Sequence, residues 1–401
     1  MTDETQPVAP ETPRQPNNKA RDDSSELSPK ELAEARQYGH LSLKSNLMDK
    51  GLDFLYLFLM ATLFARPINQ WLSGSAILDR CDSLRLVALF LILTLLHALV
   101  SLPLSFKADY LLEHQFGLSN LTLGGWAVRY LKRLALATAF GAAIVLGLYW
   151  IIWTTGSWWW LVAAAAFFLV SVILGQLMPV VILPLFYKIE RLDAPELADR
   201  FGRLSRDTGL SIEGVYRIAL SEETVKANAM LAGLGRTRRV LLGDTLLDKF
   251  SPDEIEVIFA HEVGHHVFNH IYKLIGAGLL FTAVGFWLSD RALADWVEHA
   301  QGVFRYAQLP VFALPMLLLI LAAFGAVVGP LQNAVSRHFE RQCDRYALER
   351  TGKRAAFVAA FRKLARLNKD NPDPHWLEVA LFRSHPPIGE RVALAKKTKS
   401  P

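Results

Sequence analysis

Residues 86–104 read LVALFLILTLLHALVSLPL, a run without a single Asp, Glu, Lys or Arg. A helix of this length and composition is long enough to cross the hydrocarbon core of a bilayer. Buried helices of a large soluble core are the alternative. However, the whole chain of 401 residues is 52% hydrophobic, which is high for a soluble protein of this size. The run therefore predicts a membrane span.

Five more apolar runs occur along the chain, at 52–65, 134–153, 158–186, 274–289 and 309–330. Together they predict a mainly α, polytopic membrane protein with about six transmembrane helices in a lipid bilayer. Basic residues concentrate in 107–133, in 188–273 and from Arg337 onward, and they are sparser in the alternate connections. By the positive-inside rule, both termini and both long polar segments are expected on the cytoplasmic side.

The charge pattern and the apolar runs divide the chain. We expect a disordered tail (1–30), four spans (31–186), a polar segment (187–273), two spans (274–330), a second polar segment (331–395) and a final tail (396–401). The polar segments are expected to fold together as a small α+β catalytic subdomain. The net charge of +5 follows from the charge bias, so no nucleic-acid partner is expected. Cys81 and Cys343 are predicted on opposite sides, which excludes a disulfide framework.

The first polar segment ends in SPDEIEVIFAHEVGHHVFNH, residues 251–270. Ser251 and Glu254 form the sequence signature of a capping box at a helix start. His261 and His265 are then four residues apart on one helix face, as a tetrahedral zinc site of the zincin type requires. Glu262 points away from the face that the two histidines share. It can act as the general base that takes a proton from the attacking water.

His266 and His270 are also four residues apart and form a rival pair. Val267 occupies the place that the catalytic carboxylate would need, so this pair is not expected to bind the metal. We expect His266 to be a packing residue, or to contact one of the metal ligands without binding the metal itself. His270 is expected to make a contact of that second kind, near the membrane surface.

A third ligand is expected from SRHFERQCDRYALER, residues 336–350, just after the last apolar run. Glu340 and Asp344 are four apart on a predicted helix, so both can face the same site. Glu340 is predicted to be the third ligand, and Asp344 to accept the free N–H of a ligand histidine. A solvated charged helix face is the alternative.

Two further stretches are candidates for substrate contacts. ANAMLAGLG (227–235) offers Asn228 and, from Ala229 onward, an extended edge that can pair with a peptide. SHPPIGERV (384–392) offers His385 and Arg391, which could stabilise negative charge on a carbonyl oxygen. A turn asparagine and a proline-bounded loop are the alternatives.

These motifs resemble the type I CAAX prenyl proteases, integral-membrane zinc metallopeptidases. The similarity extends over nearly everything after residue 30, and includes EHQFGLSNLT (113–122), ILPLFYKIERL (182–192), NAMLAGLGRTRRVLLGDTLL (228–247), FERQCD (339–344) and SHPPIGER (384–391). The resemblance implies one Zn²⁺ per chain held by His261, His265 and Glu340, with Glu262 as base. It also implies that Asn228, His385 and Arg391 line the substrate site, and that peptides or proteins, including C-terminal segments and membrane proteins, are substrates.

Compared with the seven-span members, we expect the first span to be missing, and we expect no endoplasmic-reticulum retrieval signal. We therefore expect a bacterial inner-membrane protein, or one of the endoplasmic reticulum if the source is eukaryotic, whose substrate need not be prenylated. The leading hypothesis is a zinc metalloendopeptidase of membrane-protein processing or quality control. The alternatives are a non-catalytic transporter or assembly factor, and a site-2-type protease using NPDP (371–374).

Overall fold

The computed structural model describes residues 26–206, 208–233 and 238–397. Most of the predicted N-terminal tail, residues 1–25, and most of the final tail, residues 398–401, lie outside these ranges. Within the described residues, five stretches are long and apolar enough to cross a membrane: Pro29–Ser73, Asp82–Gln115, Leu123–Leu185, His270–Gln301 and Val311–Thr351. Each of the six predicted runs overlaps one of them.

The described part of the chain up to Leu185 is mainly helical, with an isolated β-bridge at Ser119. Its helices are α1 (Pro29–Leu59), α2 (Ala65–Ser73), α3 (Ala76–Asp79), α4 (Asp82–Phe106), α5 (Glu113–Gln115), α6 (Leu123–Thr155) and α7 (Trp159–Leu177). π-helical turns join α1 to α2 and α4 to α5. The stretch Leu123–Leu185 contains two helices because Gly156 adopts φ +58°, which ends α6 and lets α7 pack back against it. Six predicted runs thus correspond to five continuous stretches.

The membrane helices bury large side chains between them and expose apolar ones outward. Leu86 of α4, Tyr149 of α6 and Trp159 of α7 lie in one buried cluster. Leu99 and Leu131 are 68% and 60% exposed. Apolar side chains on the outside of a helical bundle are expected where the surrounding solvent is lipid.

A four-stranded sheet follows the membrane helices. Its strands are β1 (Ile189–Arg191), β2 (Gly214–Ile218), β3 (Ala229–Ala232) and β4 (Arg239–Gly243). The order is β1-β2-β4-β3, with β2 and β4 parallel and the outer pairs antiparallel. Among the described residues, β3 pairs with a strand on its β4 side alone, so its other edge is unpaired.

The remaining helices are α8 (Pro195–Ser205), α9 (Asp244–Leu247), α10 (Pro252–Val267), α11 (His270–Gln301), α12 (Leu314–Thr351), α13 (Arg354–Asn368), α14 (Trp376–Phe382) and α15 (Ile388–Lys397). One buried cluster joins side chains from both polar segments. In it, Phe201 of α8 stacks on Phe259 of α10 at 4.0 Å between ring centroids, and Phe357 of α13 is fully buried. The two polar segments therefore share one hydrophobic core.

Two helix boundaries differ from those expected. The helix that carries HEVGH ends at Val267, and Asn269 takes a left-handed conformation with φ 55° before α11 begins at His270. Because residues 253–270 contain no helix breaker except Gly264, the sequence predicts one continuous helix through His270, and this prediction is wrong. In contrast, α12 runs without interruption through the predicted boundary at residue 330, despite Pro330. One helix thus carries both the last apolar run and Glu340.

Candidate active site

Helix α10 places the HEVGH residues with a well-defined start. The Ser251 side chain accepts the Glu254 N–H, and the Glu254 carboxylate accepts the Ser251 N–H at 2.7 Å, which completes the capping box. His261 and His265 then lie on the same face of α10, with ring centroids 5.2 Å apart. Their shared face is turned toward α12.

Close contact between α10 and α12 brings the third acidic residue to these histidines. Gly264 lies against α12, where an added Cβ would be 3.1 Å from the Cα of Cys343. The missing side chain allows this approach. As a result, Oε2 of Glu340 lies 3.0 Å from Nε2 of His261, and Oε1 lies 3.3 Å from Nε2 of His265.

The donor atoms of His261, His265 and Glu340 lie within 4.8 Å of one another. Oε2 of Glu340 is buried and accepts no well-aligned hydrogen bond from the described residues, although Nε2 of His261 lies 3.0 Å away. A buried carboxylate oxygen without a partner is costly unless something else binds it. Two imidazoles and one carboxylate are a donor set that suits zinc, so these residues fit the metal. A second group within the same limit comprises His265, His270 and Cys343.

His261 is held from behind by a charged pair. Its Nδ1 lies 2.9 Å from Oδ1 of Asp344, and Nε of Arg391 donates to Oδ2 of Asp344 at 2.9 Å. The Arg391 guanidinium also lies 3.8 Å above the ring of Phe361. Burial alone would lower the pKa of His261, but the carboxylates of Asp344 and Glu340 outweigh it and raise the pKa to about 9. The site therefore attracts cations.

Glu262 lies where two cavities meet. One cavity of about 360 Å³ is lined by Glu262, Asn228 and His385 among others. The second, of about 260 Å³, is lined by Glu262 together with His265 and Leu231. A substrate in either cavity can reach the Glu262 carboxylate and the donor set.

The predicted substrate residues are brought together, but in different environments. Ala229 begins β3 opposite Leu242, and the Asn228 carbonyl accepts the Gly243 N–H at 2.9 Å. His385 has a side chain that is 63% exposed, with Nε2 3.4 Å from Oε1 of Glu340. By contrast, the Arg391 fork is engaged with Asp344 and only 8% of the residue is exposed.

Asn368 is a site residue that sequence reasoning missed. Its Oδ1 accepts the Ala227 N–H at 2.9 Å and its Nδ2 donates to the Ala227 carbonyl at 3.3 Å. Both backbone polar groups of Ala227, the residue before Asn228, are therefore fixed by one side chain. Nothing in the local sequence around Asn368, a polar helix end, signals this contact across 141 residues.

The EHQFGLSNLT segment (113–122) also holds the residues that lead into β3. The Leu118 carbonyl accepts the Val225 N–H at 3.2 Å and the Thr224 hydroxyl at 2.7 Å. Lys226 pairs with Glu113 at 2.7 Å. The segment of residues 113–122 thus anchors the chain immediately before Asn228.

The rival histidines point in different directions. His266 turns away from the donor set, with Nδ1 2.7 Å from Nη1 of Arg238 and Nε2 3.0 Å from the Thr208 carbonyl. His270 instead returns to within 3.3 Å of His265. The NPDP stretch lies between α13 and α14, outside the candidate spans, with Asp373 exposed.

Comparison with known proteins accords with this geometry. A family model described as peptidase family M48 matches residues 191–399, slightly more than half of the chain. The chain belongs to peptidase family M48. A second model, described as the CAAX prenyl protease N-terminal region with five membrane helices, matches residues 16–188. The resemblance to the CAAX prenyl proteases is therefore confirmed over both halves of the chain.

Individual relatives of the M48 peptidase support the same assignment. The uncharacterized metalloprotease YhfN of Bacillus subtilis is 32% identical over 94% of this chain and 88% of its own length. CAAX prenyl protease 1 of Saccharomyces cerevisiae is 29% identical over 75% of this chain and 70% of its own. The crystal structure of S. mikatae Ste24p has a TM-score of 0.79 at 24% identity, over 92% of this chain and 89% of that one, and shows the same fold.

Family membership makes the protein an integral-membrane zinc metallopeptidase, whose substrates are peptides or proteins. The non-catalytic transporter or assembly factor gains no support from these relatives. The site-2-type protease gains none either, because the exposed loop position of Asp373 is unsuited to an aspartate ligand within a span.

Proposed function

We propose that this M48 peptidase is an endopeptidase in which His261, His265 and Glu340 hold one Zn²⁺. The observation that carries the proposal is the convergence of both Nε2 atoms on the two Glu340 oxygens, at 3.0 and 3.3 Å, with Glu262 lining the adjoining cavities. A zinc ion bound there supplies Lewis-acid polarisation of the scissile carbonyl and acidifies water.

The protein's own groups then carry the proton and the substrate. Glu262 accepts a proton from water as the new C–O bond forms, and returns it to the amide nitrogen as the C–N bond breaks. Asp344 holds a proton on Nδ1 of His261, which leaves Nε2 free to bind the metal. His385, exposed beside Glu340, donates a hydrogen bond to the carbonyl oxygen as negative charge develops. Arg391 acts through Asp344.

The substrate is proposed to be an extended peptide paired with the open edge of β3 at Asn228 and Ala229. The relatives named CAAX prenyl proteases support cleavage near a C-terminus, and the membrane spans support substrates at or in the bilayer. Such an enzyme suits membrane-protein processing or quality control. Prenylated and unprenylated copies of one peptide would show whether a lipid is required.

The first test separates metal binding from catalysis. Glu262→Gln should retain one zinc per chain and lose at least about 100-fold in hydrolysis of a fluorogenic peptide, because the general base is gone. His261→Ala and Glu340→Ala should lose zinc by metal analysis, whereas the exposed control Asp373→Asn should keep both zinc and activity. Equal turnover by wild type and Glu262→Gln would refute the proposal.

We also propose the bacterial inner membrane as the location, with the active site on the cytoplasmic side. The basic connections and the Bacillus relative support this. Cys81 is half-buried between α3 and α4, whereas Cys343 is fully buried, so a thiol reagent has one accessible target. A membrane-impermeant maleimide should label intact spheroplasts of wild type but not of Cys81→Ser. If labelling requires permeabilised cells, Cys81 lies on the cytoplasmic side and the proposed orientation is wrong.

A further inference from the structure

The backbone between α10 and α11 turns sharply enough to bring His270 back to the site. On a continuous helix, residues five apart point about 140° away from each other and cannot touch. Here α10 ends at Val267, and Asn269 supplies a left-handed turn with φ 55°. Asn is among the few residues other than Gly that adopt this conformation readily. Consequently Nδ1 of His270 lies 3.3 Å from Nδ1 of His265.

A chain of hydrogen-bond contacts leads away from His265, through His270, to Gln342 and His338. Nε2 of His270 lies 2.9 Å from Oε1 of Gln342, and Nε2 of Gln342 lies 3.2 Å from Nε2 of His338. If Nε2 of His265 is free to bind metal, its proton is on Nδ1 and is donated to His270. His270 then carries its own proton on Nε2 and donates it to Gln342. In this arrangement His270 and Gln342 each accept one hydrogen bond and donate one.

His270 is held rigidly in this position. The residue is 1% exposed, and its ring stacks on Phe339 with centroids 4.2 Å apart and planes inclined by 9°. Sγ of Cys343 lies 3.5 Å from Nδ1. A buried imidazole with both nitrogens in contact has little freedom to rotate, so it can fix the orientation of a neighbour.

We infer that His270 and Gln342 are positioning residues that set the tautomer and ring orientation of His265. The inference rests on the proposed zinc site. A hydrogen bond to the free ring nitrogen of a ligand histidine keeps the other nitrogen unprotonated and aimed at the metal. His265 needs this support more than His261, because its side chain is 31% exposed against 7%.

A second metal ion held by His265, His270 and Cys343 is the competing explanation of the same cluster. Such an ion would require His265 to release the proton that it donates to His270. It would also require Cys343, which is fully buried, to bind as a thiolate. The hydrogen-bonded arrangement satisfies the same atoms without either demand, and is therefore favoured.

The experiment measures zinc affinity by competition with a chromophoric chelator, using the full-length protein in detergent. His270→Ala should weaken zinc binding by about 10- to 100-fold. His270→Gln, which can accept from His265 and donate to Gln342, should recover most of that loss. Gln342→Leu tests the outer contact while leaving His270 in place, and should give a smaller loss. His266→Ala removes a histidine of α10 that faces Arg238. This control variant should bind zinc as wild type does.

A cobalt-substituted protein provides a readout that a merely structural role would not change. The visible d–d bands should shift in His270→Ala and return in His270→Gln, because ligand orientation alters the coordination geometry. Wild-type affinity and bands in His270→Ala would overturn the inference. So would a stoichiometry of two zinc ions that falls to one in Cys343→Ser. If His265→Ala itself binds zinc normally, the proposed zinc site fails, and not merely the role of His270.

Discussion

The two histidines of HEVGH are chemically identical, but the regions behind them differ. Behind His261 lies a buried ion pair, Asp344 with Arg391, and the side chain is 7% exposed. Behind His265 lies a neutral pair, His270 with Gln342, and the side chain is 31% exposed. Asp344 on α12 and Arg391 on α15 are both buried, whereas His265 is the more exposed of the two histidines. The site thus combines a fixed half with a more open half.

Removal of the charge behind His261 should have the largest effect. Asp344→Asn keeps the shape but leaves the buried Arg391 guanidinium without its partner, so we expect a loss of about 3–5 kcal/mol in the free energy of unfolding. Zinc affinity should fall by about 100-fold. Denaturant titration and chelator competition measure the two effects. The exposed Asp373→Asn is the control, and wild-type values in Asp344→Asn would show that the two regions do not differ in the way described.

An added methyl group between α10 and α12 should disturb both regions together. Gly264→Ala places a Cβ 3.1–3.2 Å from Cys343, which moves Glu340 away from both histidines. We expect a loss of about 1–3 kcal/mol in stability, together with weaker zinc binding. Gly276→Ala is a matched control, because nothing lies within 4 Å of its Cβ. Tight zinc binding in Gly264→Ala would mean that this close approach is unnecessary.

A carboxylate placed behind His270 should make the two regions more alike. Gln342→Glu replaces a neutral acceptor with a charged one at the position 2.9 Å from Nε2 of His270. His270 then becomes a stronger acceptor, and His265 a more basic ligand, so zinc affinity should rise by up to about tenfold. Gln342→Leu is the neutral comparison. A fall in affinity for Gln342→Glu would count against the neutral region acting through hydrogen bonding.

A salt-bridge cluster away from both regions should give the smallest effect. Hydrogen bonds from Lys353 and then Arg200 lower the pKa of Asp253. Burial raises the pKa of Glu256, but the same two bases outweigh it and lower that pKa as well. Because both pKa values are lower in the folded protein, the stabilisation is complete above the unfolded values, near pH 4–5, and is lost as pH falls below them.

The side chains of this cluster lie at the surface and range from 12% exposed for Glu256 to 54% for Asp253, so we expect it to contribute only about 1 kcal/mol after allowance for screening. Asp253→Asn/Glu256→Gln should therefore lower the melting temperature slightly at pH 7 and bring no change in zinc affinity. The difference from wild type should shrink at pH 3.5. A difference that grows in acid would contradict the assigned direction of the pKa shifts.

Local and periodic features could be predicted from the sequence. The capping box at Ser251, the i, i+4 histidines and the apolar runs each depend on neighbours within a few turns of helix. Glu340 was expected on α12 because a zincin site needs a third donor, and the structure brings it to the histidines. Such inferences succeed because the chemistry dictates both residue type and spacing.

Contacts between distant segments could not be predicted. Asn368 reaches Ala227 across 141 residues because helix packing brings the two together. Arg391 lines the cavity beside His385 and also donates to Asp344, a contact that helix packing likewise decides. The break before His270 was missed although a signal was present. Asn269 is a residue type that readily adopts the left-handed conformation, but the helical pattern of the preceding residues outweighed it in the expectation.

The separation of the donors by α11 and the apolar part of α12 has a consequence for biosynthesis. A ribosome completes α10, with both histidines, well before it reaches Glu340. Glu340 can join them only after the helical hairpin of α11 and α12 has inserted into the bilayer. We therefore expect the nascent chain to have no peptidase activity until insertion is finished. The order of synthesis itself then protects the cell from premature proteolysis.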